Sequence, residues 1–162
     1  MATDYATFNR QCGLGLIEIL VTLVVLSLGI LGLAGLMGVA LKNSHSALLR
    51  AQAAQYAQDM ADRMRANRAA AVSSGRPYNM NLTSASATMT GTTLADRDKA
   101  DWLRQLRGLP DAAAAIAVTS DAGDATITVR WDETAFGNDD IDPNCPEPRI
   151  AGRVCFVLTT RI

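Results

Sequence analysis

The sequence predicts an α+β protein in which one long N-terminal helix packs on a small antiparallel sheet. Three observations predict it. Residues 14–41 form an apolar run whose only charged residue is Glu18. Residues 42–68 contain neither Pro nor Gly and repeat apolar residues at helical spacing, while the last third of the chain alternates apolar and polar residues with period two.

The apolar run comes first. From Ile19 to Leu41 there are 23 positions without a charge, which as a helix span about 34 Å and suffice to cross a hydrocarbon core of about 30 Å. Length alone therefore favours a membrane helix over a buried soluble one. Glu18 is the exception, because a carboxylate inside hydrocarbon costs a few kcal/mol unless it reaches the interface or a partner. A cut after Gly13 would make Leu14 the first residue, with a free ammonium, and Glu18 the fifth. The ammonium of one copy and the carboxylate of a neighbour would then be opposite charges in an apolar setting, where pairing fixes register. This suits a subunit that leaves the bilayer and packs into a helical bundle.

The stretch Gly13-Leu14-Gly15-Leu16-Ile17-Glu18 resembles the processing site of type IV prepilins and type II secretion pseudopilins. In that family a short leader ends in Gly, an apolar residue follows, and Glu is fifth after the cut. Leu14 stands where Phe is usual, and Gly15 where Thr is common. The resemblance implies a prepilin peptidase that cleaves between Gly13 and Leu14 and N-methylates the new terminus, with Glu18 acting in assembly. It also implies a type IV pilin-like fold. The expected organisation is a leader at 1–13, a membrane and filament-core helix half at 14–41, an amphipathic half packed on the head at 42–70, and an α+β head at 71–162.

Other N-termini fit less well. A lipoprotein acylated at Cys12 would need an apolar segment before that residue, and none precedes it. A secretory signal cut near Gly38-Val39-Ala40 would have an apolar region longer than the usual 7 to 15 residues. An unprocessed single-span anchor leaves the position of Glu18 unexplained.

Composition narrows the function. Lys and Arg number 15 against 16 Asp and Glu, so there is no broad electrostatic case for nucleic acid. Cys12 falls in the expected leader. Cys145 and Cys155 remain as an even pair in a small domain expected to face an oxidising compartment, where a disulfide is favoured. Zinc is the weaker alternative, since two thiolates need two more ligands and the sole histidine, His45, lies just after the apolar span.

The helix should continue past the membrane to about Ala70, with Leu49, Ala53, Tyr56, Met60 and Met64 as its apolar stripe. Asp59 with Arg63 and Asp62 with Arg65 sit at pairing distance along one helix. Gly29, Gly32, Gly35 and Gly38 recur every third position and make that stretch the one expected to bend or loosen outside lipid. Residues 71–93 read as a connecting loop with room for one short strand. A second helix should start after Thr93, capped by its hydroxyl, with Asp96 in the capping-box position. Ala95, Trp102, Leu103 and Leu106 mark its buried face. Lys99 falls on that stripe, with its ammonium expected to reach water. Gly108 and Pro110 should end the helix.

Period-two alternation then takes over. Ile116 with Val118, and Ile127, Val129 and Trp131, predict two strands about a turn near Gly123; Val154 to Thr160 predict a third. Cys155 alternates away from Val154, Phe156 and Leu158, which places a bridge to Cys145 on the opposite face, pinning the polar excursion between residues 132 and 149.

This order of elements resembles the pilin family throughout. A closer likeness, to minor pilins of the PilV type, rests on Leu48 to Ala53, Asp59 to Arg68, Asp96-Arg97-Asp98 leading to Trp102-Leu103, and Val129-Arg130-Trp131. It implies a structural subunit of a type IV pilus initiation or tip complex. Its partners would be the prepilin peptidase, other minor pilins and the major pilin, an inner-membrane assembly platform and a tip adhesin. Its site would be the inner membrane with a periplasmic head, and then the pilus. A type II secretion pseudopilin or a tethered adhesion module are the alternatives. No enzyme, cofactor or metal is expected. The acids Asp132, Glu133, Asp139, Asp140, Asp142 and Glu147 lack calcium-loop spacing and read as a solvated loop. Arg50, Arg63, Arg65 and Arg68 read as helix solvation, without the aromatic platforms of a nucleic-acid surface.

Overall fold

A computed structural model of the chain describes residues 15–119 and 123–162. The chain divides into two units, the first ending at Leu41 and the second beginning at Lys42. Helix α1 runs from Leu16 to Ala66; α2 is the single turn Arg68–Ala71, and α3 is Leu94–Leu106. The strands are β1 (Met80–Ser84), β2 (Ala113–Val118), β3 (Asp124–Asp132) and β4 (Arg153–Arg161). This is an α+β, type IV pilin-like architecture.

In the first unit, α1 exposes its side chains from Leu16 to Leu41. Its most apolar window has a mean hydropathy of 2.6, and among the described residues this is the one helix long and apolar enough to cross a membrane. Such a helix must satisfy its polar groups internally. Thr22 and Ser27 do so by donating to the carbonyls of Ile19 and Val24, each at 2.8 Å. The helix is unbroken through its four glycines. A Cβ at any of them would meet nothing within 4 Å, so they do not serve close packing within the chain.

The second unit is built on the C-terminal part of α1. Leu49, Ala53, Ala57, Met60, Ala61 and Met64 are its buried face, so small alanines complete the stripe where Tyr56 is only half-buried. The helix ends four residues earlier than the expected Ala70. Asn67 leaves α geometry, at φ −115° and ψ 42°, and its amide donates to Tyr78 Oη at 3.1 Å.

The four strands form one antiparallel sheet in the order β1-β2-β3-β4. Ile116 pairs with Ile127, and Ile127 with Leu158, so one face carries Ile116, Val118, Ala125, Ile127, Val129 and Trp131, all buried. Helix α3 contributes Trp102, Leu103 and Leu106 to the same core. It is tied to α1 by Trp102 Nε1, which donates to the Tyr56 carbonyl at 2.7 Å. The Thr93 cap and reciprocal box form: Asp96 N donates to Thr93 Oγ1 at 3.1 Å and Thr93 N to Asp96 Oδ2 at 3.3 Å.

Strand β1 is the short strand for which residues 71–93 leave room; it adds a fourth to the three that alternation predicts, and its five residues are irregularly buried and carry a register shift. One expectation needs correction. The Lys99 side chain, expected to extend to water, is only 8% exposed. It is buried, donating to the Pro77 carbonyl at 2.6 Å and lying 3.3 Å from Asp96 Oδ1, because the loop before β1 folds over the end of its side chain.

Candidate functional site

The N-terminal site begins at the start of α1. Gly13 and Leu14 lie outside the described residues, as does Cys12. Glu18 occupies the first helical turn, with its N–H donating to the Gly15 carbonyl at 2.9 Å. An acid there complements the unpaired amides of a helix N-terminus. Its side chain is exposed and has no hydrogen bond or ion pair among the described residues, so it is available to another molecule.

In the head, the polar excursion after β3 is folded onto the sheet. Cys145 and Cys155 are joined, with Cα atoms 5.2 Å apart. Cys145 is buried, while Cys155 opposes Arg130 in the ladder, on the face away from the Trp131 core. The Asp142 carboxylate accepts the Cys155 N–H at 3.0 Å, and also the N–H and amide of Asn144. The later part of the excursion is thus held to β4 by the disulfide and by this side-chain cap, among other contacts.

The acids of this segment do not converge. Asp132 accepts the hydroxyl and the N–H of Thr134, which hold its carboxyl below the usual range, with help from Arg153. Glu147 pairs with Arg149. Among the described residues no three His, Cys, Asp or Glu side chains are grouped to hold a metal.

Glu133 departs most from the solvated loop expected of it. It is 2% exposed. Its carboxylate accepts Trp131 Nε1 at 2.9 Å, Asn138 Nδ2 at 3.2 Å and Ser46 Oγ at 3.0 Å. A buried carboxylate without an ion-pair partner needs such donors. Its backbone is equally fixed, its N–H donating to the Gly152 carbonyl at 2.8 Å. Gly152 has φ +75°, and a Cβ there would overlap the Thr134 side chain, so only glycine lets the chain pass so closely. Beside this cluster His45 packs on Phe136, with ring centroids 4.1 Å apart.

The ion pairs expected along α1 form, and Arg65 and, in α2, Arg68 do more than the helix solvation expected of them. Arg63 bonds Asp59 at 2.9 Å and lies 3.7 Å from Asp98, while Arg65 bonds Asp62 at 2.6 Å. Arg65 also reaches Thr160 Oγ1 at 2.8 Å, and Arg68 donates to the Ile162 carbonyl at 2.9 Å. These two therefore hold the C-terminal strand rather than merely solvating the helix. Sequence reasoning missed both them and Glu133, because their partners lie far along the chain. The only local signal for Glu133 was its place two residues after a core tryptophan.

Comparison with known families bears on the N-terminus. Residues 8–34 match the family described as the prokaryotic N-terminal methylation motif. No curated protein matches the chain, and no solved structure does. The motif spans the Gly13-Leu14 junction, Glu18 and the apolar helix as far as residue 34. Together with the α+β head it supports a type IV pilin-like, prepilin-like protein, of a class that is structural rather than enzymatic.

Proposed function

We propose that this chain is a minor pilin of the PilV type, cut by prepilin peptidase between Gly13 and Leu14 and then assembled into the initiation or tip complex of a type IV pilus. The observation that carries the reading is the methylation motif at residues 8–34, joined to a helix whose apolar span carries a single acid, Glu18, with no partner among the described residues. Before assembly the helix anchors the protein in the inner membrane with its head in the periplasm. On assembly, Glu18 meets the terminal ammonium of a neighbour, the apolar helix supplies buried contact area, and the head selects partners. Apolar helices discriminate poorly among one another, so specificity resides in the head. Those partners are other minor pilins, the major pilin, the assembly platform and a tip adhesin.

Deletion of the protein tests this. Loss of surface pili and of twitching motility supports the reading. Intact pili with secreted enzymes retained in the cell would instead support a type II secretion pseudopilin. Intact pili with lost adhesion alone would make the head a tethered binding module.

A further inference from the structure

Three contacts join one short face of α1 to the segment that follows β3. Lys42 Nζ donates to the Gly137 carbonyl at 3.1 Å, His45 packs on Phe136 at 4.1 Å, and Ser46 Oγ donates to the buried Glu133 carboxylate at 3.0 Å. Residues 42, 45, 46 and 49 lie on one helical face, and Leu49 is the first buried apolar residue of α1 among the described residues. Glu133 is itself held by Trp131 and Asn138, so the helix docks on a fixed carboxylate, not on a mobile loop. Before this face, all the described residues of α1 are exposed, and every third residue from 29 to 38 is glycine. Glycine weakens a helix wherever packing does not hold it.

We infer that the Ser46–Glu133 contact, flanked by Lys42–Gly137 and His45–Phe136, is a clamp that stops loosening of α1 at Lys42. Without it, the next restraint along the helix is the burial of Leu49 and Ala53. The clamp keeps residues 42–48 helical and the head seated when the glycine stretch gives way, whatever assembly the protein joins. Glu133 is a positioning residue in this device.

Amide hydrogen exchange on the full chain in detergent micelles tests the clamp. Ser46→Ala removes the helix-side donor while raising intrinsic helix propensity, so propensity alone predicts slower exchange. The clamp predicts the opposite: exchange of amides 43–48 about tenfold faster, as expected for the loss of a hydrogen bond to a charged group, with α3 and the β2–β3 ladder unchanged. His45→Ala should give the same local pattern with a smaller increase, and it serves if Ser46→Ala destabilises the whole head. Unchanged or slower exchange at 43–48 in both variants overturns the inference. So does an acceleration spread evenly over sheet and helices in both, which would make the contact part of global stability rather than a local stop.

Discussion

Asp142 accepts the backbone N–H of Cys155 at 3.0 Å, so the residue that forms the disulfide on β4 is also capped by the loop which that disulfide ties down. Bond and cap therefore hold the same segment. Replacing both cysteines with serine should cost about 2–4 kcal/mol, and Asp142→Ala alone about 0.5–1.5 kcal/mol. Combined, they should cost less than the sum, because both release the same segment. Urea unfolding of the four proteins measures this, and strict additivity would show that the cap forms without the bridge.

Tyr78 is fully buried and donates to Asp98 Oδ2 at 2.5 Å. Burial, and then that hydrogen bond, push its hydroxyl from 10.0 up to about 12. Because the folded value lies above the unfolded one, the contribution is complete below pH 10 and is lost as pH rises toward about 12. Wild type should therefore lose stability over that interval more steeply than Tyr78→Phe. Parallel pH profiles for the two would contradict this assignment.

Thr93→Ala should destabilise the head by about 1 kcal/mol through loss of the α3 cap. The Thr93 hydroxyl and N–H also hold the Asp96 carboxyl below its usual range. A depressed value means the contribution is present above the ordinary carboxylate range and is lost as pH falls through the folded value. Thermal unfolding of the variant should accordingly show a weaker acid dependence than wild type.

Local signals made α3 and the β2–β3 ladder legible. The Thr93-x-x-Asp96 box and the alternation of Ile127, Val129 and Trp131 need no knowledge of distant partners, and the structure repeats both. The phase of Cys155 against Val154 and Phe156 likewise placed the bridge on the correct face. What failed to show was long-range. Lys99 is buried because Pro77 offers a carbonyl, and Glu133 because Ser46, 87 positions away, offers a hydroxyl. Strand β1 is too short and irregular to announce itself by period. Arg65 and Arg68 looked like solvated helix charges because the strand they hold is more than ninety residues away.

On the function proposed above, Glu18 is the acid on which assembly turns. Its exposure on a lipid-length helix predicts that Glu18→Ala inserts in the membrane as well as wild type, or better, since a charge is removed from the apolar stretch. Incorporation into filaments should fall to background. Fractionation of membrane and sheared-filament material separates the two effects, and full incorporation of the variant would remove the carboxylate from the mechanism.

The central claim is that the chain is shortened so that Glu18 becomes the fifth residue of the mature protein. Intact mass combined with N-terminal sequencing of protein taken from its native membrane tests it most directly. The account predicts a chain beginning at Leu14 with a methylated amine. A mature protein that still carries residues 1–13 would contradict it.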